Sequence, residues 1–554
     1  MEALIQNLNG IVWGLPMLAL LLLTGFFLTV GLKGLSIIRV PYGFKQVFKK
    51  RNHNADEGDV SPFAALMTAL SSTIGTGNIA GVAAAIAIGG PGAVFWMWMT
   101  AILGTATKFS EGVLAVRYRE IDSYGNRVGG PMYYIKNGLG KKWIPLAFIF
   151  AFFGFFAALG TGAAIQSNSV SDVLNSSYGV SPWVTAFILA GLAAAVIIGG
   201  VKRIGSVASK VVPVMALFYV AAGLTVIFLN IGRVPDAFAM IFKGAFGLQS
   251  ATTGITIALM LHAMQKGVAR GIFSNEAGQG SAPIAHAAAQ NNDPVNQGVV
   301  AMLGTIIDTL IVCTITALVI LTSGAFGEQC LPSPETLADI IDGDLAKGCM
   351  TSAPLTAASF EAGIGVIGKH IVSIGLAVFA FTTIIGWSYY GERCSGFLFG
   401  EKFRNLYRIL WILVVFAAAA VITLQKRIFS IGEQKLSFSD DGEVLVDGKL
   451  LINNGEPVTT VFDKFGGEVS AQNADLKVVD GIVMIDGAVA QIDGPVANIV
   501  NLFWLMADTL TGMMAAPNLI ALILLSPVVF KLAKEYFDKD KIANDGLIDQ
   551  DDIK

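Results

Sequence analysis

The sequence predicts an all-α polytopic membrane protein: a five-plus-five inverted repeat with one extra N-terminal helix, about eleven spans, and a small external β insert. Three observations carry this. The 554 residues are 54% hydrophobic and only 14% charged, with mean hydropathy +0.65, whereas a soluble domain carries about 25% charged residues. Eleven stretches approach or exceed the about 20 apolar residues that cross a bilayer: 11–32, 62–90, 92–117, 143–170, 182–200, 207–229, 252–290, 297–322, 366–391, 405–425 and 497–534. Two of them, 62–90 and 252–290, are too long for one straight span and are interrupted by glycines and polar residues.

The chain opens MEALIQ, with an acid and no basic n-region, so the first apolar run reads as a retained helix rather than a signal peptide. Residues 33–51 hold Lys33, Arg39, Lys45, Lys49, Lys50 and Arg51 and no acid, which marks a cytoplasmic loop. The loops 117–142, 202–210 and 393–408 agree, while 171–181 has no basic residue and 323–365 only Lys347. The N-terminus is therefore expected outside and the C-terminus, with Lys531, Lys534, Lys539 and Lys541, in the cytoplasm. The last apolar segment is broken around Thr511–Asn518 and reads as one long span or two short ones.

The organisation that follows is an extra helix at 1–35, a first repeat at 60–230, a second at 250–425 and 496–535, and a cytoplasmic tail at 536–554. Residues 431–495 differ from the rest. KLSF, EVLV, KLLI and IVMI are separated by Asx-Gly pairs, a strand-and-turn pattern. Twelve acids against four lysines give this stretch a net charge of −8. In the outer loop 323–365, Cys330 and Cys349 either pair in an oxidising compartment or remain free thiols. The formal charge of the whole chain, −3, gives no nucleic-acid reading; the expected partner is the lipid bilayer.

Unpaired backbone at membrane depth is tolerated only where it is buried in protein or lines a cavity. The stretch SSTIGTGN, Ser71 to Asn78, places glycines and hydroxyls inside the second span. Unwinding there frees N–H groups suited to a carboxylate and carbonyls suited to a small hard cation. FSNEAGQGSAP, Phe273 to Pro283, repeats the device five spans later. A single glycine in a membrane helix more often serves packing; two clusters in corresponding positions point to a midplane binding site within an inverted repeat.

GGPGAVFWMWMTAILG, Gly89 to Gly104, resembles the signature of the alanine/glycine:cation symporters, the bacterial sodium:alanine symporter family. Ser274–Gln290, Gly304–Ile320 and Phe379–Arg393 are similar to the same family. The resemblance implies a LeuT-like fold, a place in the bacterial inner membrane, and sodium-coupled uptake of alanine, glycine or D-alanine. Ordinary members lack the 431–495 insert, which raises the question of an added binding or assembly role. GTGN, Gly75–Asn78, is similar to the unwound Gly-x-Gly-Asn motif of neurotransmitter:sodium symporters. Carried over, the Thr76 and Gly77 amides face a substrate carboxylate, and sodium meets the carbonyls of Ser71, Ile74 and Phe379 and the hydroxyls of Thr382 and Thr383.

Asn78, Phe273, Ser274, Asn275, Gln279 and Trp387 complete the candidate substrate site. Gln279 is favoured for direct contact, and Trp387 either walls a side-chain pocket or packs. Glu276 balances a cationic group, carries a proton, or ties loop amides together. Gln166 and Asn168 line the pathway or join helices. Asp308 and Asp508 balance ions or are paired structural acids. Lys108 and Glu111, three residues apart, are expected to pair. The four histidines show no metal or triad spacing. The reading is a sodium-coupled importer of a small neutral amino acid working by alternating access. Proton coupling through Glu276 or Asp308 is the alternative, and a channel or a membrane enzyme fits less well, for want of a pore ring or a nucleophile, metal or acid–base constellation.

Overall fold

The computed structural model describes residues 2–48, 58–248, 253–327, 330–331, 349–429 and 495–544, and the strands of the insert between 436 and 491. His53, Lys49, Lys50, Arg51 and Lys347 lie outside the described residues. The main helices are α1 (Glu2–Val12), α2 (Leu15–Gly31), α3 (Pro62–Thr73), α4 (Val82–Gly89), α5 (Gly92–Arg117), α6 (Ile144–Ala157), α7 (Gln166–Tyr178), α8 (Pro182–Ile197) and α9 (Gly200–Leu229). They continue with α10 (Val234–Ala245), α11 (Thr253–Asn275), α12 (Ala282–His286), α13 (Pro294–Ala301), α14 (Thr314–Ser323), α15 (Ser352–Ile364), α16 (Val366–Phe399), α17 (Arg404–Phe429) and α18 (Pro495–Asn544).

Local chemistry sets several ends. Ser61 caps α3 by accepting from the Ala64 amide at 3.1 Å, with Pro62 at the first helical position. Asp293 does the same for α13, accepting from Asn296 at 3.0 Å. Among the described residues seven helical stretches are long and apolar enough to cross a membrane, or eight when Pro62–Thr73 and Gly77–Gly89, bent by 54°, count as one. Phe187, Leu217, Phe218 and Phe228 are exposed on the outside, while Asn78, Lys108, Gln166 and Asp308 are buried within. That inversion of the soluble pattern is what a hydrocarbon solvent selects.

Three features add to the sequence reading, the first by deciding between its two alternatives. The last segment is one continuous helix, α18, despite Pro517 and Pro527; Asn518 is held from three sides, so the polar stretch packs instead of unwinding. The loop 323–365 contains a helix, α15, whose Thr356 hydroxyl donates to the Ile79 carbonyl at 2.9 Å and so covers the first break. A further short helix, α10, sits between α9 and α11.

Cys330 and Cys349 form a disulfide, their Cα atoms 5.6 Å apart. In the insert all the paired strands are antiparallel. Val446↔Lys449, Asn453↔Glu456, Val479↔Ile482 and Ile485↔Ala488 each close across a two-residue Asx-Gly link, the sequence that two-residue hairpins favour.

At one end of the helical body a buried ion cluster joins loop 118–130 to α16 and α17. Asp122, with no exposed side-chain surface, accepts from Arg393 at 3.0 Å and Arg404 at 2.9 Å. Glu392 accepts from Arg404 at 3.0 Å and Arg408 at 2.6 Å. Burial opposes the charge on Asp122, but hydrogen bonds from Asn126 and the Arg393 guanidinium prevail and hold its carboxyl below the usual range.

Candidate functional site

The first break begins where α3 stops at Thr73. Ile74 is extended, with ψ 95°. The Gly75 amide, which would have closed onto the Ser71 carbonyl, instead donates to Asn78 Oδ1 at 2.9 Å. Ser71 therefore loses its helical donor. The Thr76 and Gly77 amides have no acceptor among the described residues. The chain then re-enters helix through a π turn, Gly77–Gly81.

The second break separates α11 from α12. Glu276, Gly278 and Gly280 have φ of 56°, 87° and 82°. Glycine takes these values freely; at Glu276 the conformation costs on the order of 1–3 kcal/mol. It is held in place because Glu276 accepts from the Ser281 hydroxyl and, at 3.0 Å, from the Trp387 indole. Glu111 accepts from the Gly280 amide at 3.2 Å and from Asn518 at 2.7 Å, and Asn518 also donates to the Gly278 carbonyl at 2.9 Å. Glu111 is thus committed to the loop, and no ion pair with Lys108 is found among the described residues. The expected pairing is therefore met only through space: the Lys108 ammonium acts on Glu111 by its field, while the loop amide and Asn518 take the hydrogen bonds.

A cavity of about 20 Å³ lies between the breaks. Of the expected substrate residues Thr76, Gly77, Phe273, Gln279 and Trp387 line it; so do Glu276 and Gln166, and Thr383 of the expected ion site. The amide nitrogens of the two glutamines are spent on backbone carbonyls, Gln166 on Thr161 at 3.3 Å and Gln279 on Ile272 at 3.2 Å. Their oxygens are buried and have no donor. Thr383 is in reach of the first break: a methyl placed on Gly75 would lie 2.5 Å from Thr383 Oγ1.

Other expected residues stand behind the wall. Asn78 turns its amide to Ser274 at 3.1 Å and Asp308 at 2.7 Å. Ser274 donates to Asp308 at 2.7 Å, and Asn275 to Thr309 at 3.2 Å. Thr382 and Thr383 both donate to the Phe379 carbonyl, at 2.8 and 3.1 Å. Asn168 joins helices by donating to Ala418 at 3.3 Å, and Asp508 ties α18 to α1 by accepting from Asn9 at 3.1 Å.

Sequence reasoning passed over Thr161 and Thr511, whose hydroxyls meet at 2.8 Å in the cavity wall. The signal was present: Thr161 stands between Gly160 and Gly162, in a π turn spanning Ala158–Ile165. A methyl on Gly160 would lie 2.3 Å from Ala507 Cβ, and one on Gly162 2.3 Å from Trp387 Cβ. The glycines admit α18 and α16 and thereby set Thr161 at the site. Among the described residues no group of His, Cys, Asp and Glu is arranged to hold a metal.

The sequence profile described as the sodium:alanine symporter family matches residues 1–431 and 479–550. The chain belongs to the sodium:alanine symporter family. It is 49% identical over 419 residues to the sodium/alanine symporter AgcS of Methanococcus maripaludis, covering 75% of this chain and 88% of that one. An uncharacterized transporter of Haemophilus influenzae is 40% identical over 554 residues, 100% of this chain and 99% of its own. Among solved structures, that of MhsT in complex with L-phenylalanine is 12% identical, with a TM-score of 0.48, covering 86% of this chain and 98% of that one. This member of the family is a multi-pass membrane transporter and not an enzyme. The gap in the profile, 432–478, falls within the insert.

Proposed function

We propose that the symporter imports a small neutral amino acid, alanine, glycine or D-alanine, with sodium as the coupling ion. One observation carries the reading: a single small cavity offers unclaimed N–H donors from Thr76 and Gly77 and unclaimed acceptors from Gln166 and Gln279. A zwitterion needs that pair, since its carboxylate accepts and its ammonium donates. As it stands the cavity has room for about one water, so the breaks must part to admit substrate; Phe273 and Trp387 in its wall would then favour a short side chain. Sodium is assigned to the oxygens near the first break, the Ser71 carbonyl and Thr383 hydroxyl foremost, with Ile74, Phe379 and Thr382 as further candidates. The 49% identity to a sodium/alanine symporter supports the substrate and the ion.

The eleven-span arrangement follows from adding α5, α8 and the interrupted α11–α12 to the long apolar helices. With an odd number of spans, the Lys/Arg distribution supports an N-terminus outside, a C-terminus inside and an insert outside. The Cys330–Cys349 disulfide suits an external loop. Transport is alternating access: ion and substrate bind one conformation better and shift the population toward it. Proton coupling is the second reading, supported by buried Glu276 and Asp308 and by a Bacillus subtilis relative, 40% identical, described as a putative sodium/proton-dependent alanine carrier. Radiolabelled alanine uptake into proteoliposomes tests the choice. Uptake should require an inward sodium gradient and be blocked by glycine but not by leucine or phenylalanine; uptake driven by a proton gradient alone would transfer the reading to protons.

A further inference from the structure

We propose that Asn518, within α18, is a positioning residue for the substrate cavity: with Glu111 it fixes the two peptide planes on either side of Gln279 and so aims the Gln279 side chain. The inference rests on the reading of Gln279 as a substrate contact. Asn518, Glu111 and Gln279 are all buried. The Gly278 carbonyl, which accepts from Asn518 Nδ2 at 2.9 Å, belongs to the peptide bond that enters Gln279. The Gly280 amide, which donates to Glu111 Oε1 at 3.2 Å, belongs to the peptide bond that leaves it. Each peptide unit is planar, so the two rotations between these planes decide where the Gln279 side chain points.

The loop does not supply these restraints itself. Gly278 and Gly280 have φ of 87° and 82°, outside the helical range, and the Gln279 amide closes only a short turn onto the Glu276 carbonyl at 3.1 Å. The clamps come from 240 residues away at Asn518 and 169 at Glu111. They act as one unit, because Asn518 Nδ2 also donates to Glu111 Oε1 at 2.7 Å. Asn518 Oδ1 accepts from the Tyr134 hydroxyl, which turns the nitrogen end of the carboxamide toward the loop. Two donors and one acceptor on a short stem are what an asparagine offers; leucine and aspartate lack the donors. The fit is close: a methyl on Gly280 would lie 3.0 Å from Asn518 Cγ, and one on Gly278 3.1 Å from Leu519 Cδ2.

The beneficiary is an atom already placed in the cavity. Gln279 Nε2 is held by the Ile272 carbonyl at 3.2 Å, and Oε1 is left without a donor. Where that oxygen stands relative to the Thr76 and Gly77 amides across the cavity therefore depends on the last helix. Hydrogen bonds weaken steeply with distance and angle, so a loosened loop costs affinity although Asn518 itself is not in the cavity wall.

The test is a double-mutant cycle, read by displacement of labelled alanine from the purified full-length symporter in saturating sodium. Asn518→Leu should weaken alanine Kd about tenfold, and the same change in a Gln279→Leu background should weaken it by about twofold or less, since residues that act through one another are not additive. A loss of the same size in both backgrounds overturns the proposal, because Asn518 would then serve structure alone. So does an Asn518→Leu protein whose melting temperature falls while its alanine Kd is unchanged. If Asn518→Leu does not elute as a single species, Tyr134→Phe, which frees the carboxamide to turn, takes its place and is judged by the same cycle. An unchanged Kd in Gln279→Leu alone would instead sink the reading of Gln279 as a substrate contact, and the proposal with it.

Discussion

At Gln166 and Gln279 the side-chain nitrogen is tied to a carbonyl and the oxygen is left over. Such an atom is expensive unless a ligand completes it. Replacing either glutamine by leucine should therefore weaken alanine binding. A hydrogen bond to a charged group is worth about 1.5–3 kcal/mol, or roughly ten- to a hundred-fold in Kd, measured by displacement of labelled alanine. Melting temperature should hold or rise, because an orphaned polar atom is removed. A fall in stability with unchanged affinity would mean the glutamines are structural. Thr383→Ala should raise half-saturating sodium while leaving expression intact; an unchanged sodium curve would place the ion elsewhere. Thr383 was legible as one of a hydroxyl pair in an apolar helix. That Thr383 lines the cavity while Thr382 lies 3.7 Å from the Met215 sulfur was not, because a one-residue step turns a helical side chain by about 100°.

Among the elements, the seam between the Ala158–Ile165 π turn, α16 and α18 is closely packed beside the site. Gly162→Ala would set a methyl 2.3 Å from Trp387 Cβ. Overpacking of this kind costs about 1–3 kcal/mol, and here the displaced group also donates to Glu276. The expected result is a lower melting temperature together with a larger loss of alanine affinity than Gly191→Ala, where a methyl meets nothing within 4 Å. At the ion cluster, Asp122→Asn would leave Arg393 and Arg404 short of a buried partner, a loss of about 3–5 kcal/mol. The sign with pH is fixed by the lowered carboxyl. Its contribution is complete above the unfolded value of about 3.9 and is lost as pH falls through the lower folded value. The wild-type melting profile should fall in that acid window, and the Asp122→Asn profile should be flatter there.

For the molecule as a whole, the insert at 431–495 should be dispensable for transport. The family profile skips 432–478 and the AgcS relative matches 75% of this chain, although the Haemophilus influenzae relative aligns over the whole of it, so the insert is shared by some members and is not peculiar to this chain. Its hairpins close locally, strand to next strand, across Asx-Gly links. Replacing it with a short Gly/Ser linker between α17 and α18 should retain sodium-driven alanine uptake in vesicles. Complete loss of uptake in a normally inserted protein would show that the insert gates the pathway or braces α18.

Sequence alone determined what depends on composition and on neighbours in the chain. A long apolar run must be a membrane helix, since lipid offers its backbone no other partner. Glycines and hydroxyls clustered at that depth mark where a helix breaks or widens, and Asx-Gly between short apolar runs favours a hairpin. Tertiary structure decided what depends on segments far apart in sequence. Glu111 accepts its hydrogen bond from the loop 169 residues away and not from Lys108, three residues off. Asn518 stays helical because Tyr134, Glu111 and Gly278 satisfy it. Asp308 joins the two breaks across 230 and 34 residues. In a dry interior every polar atom takes whatever partner folding brings, and the sequence names the candidates without saying which of them will meet.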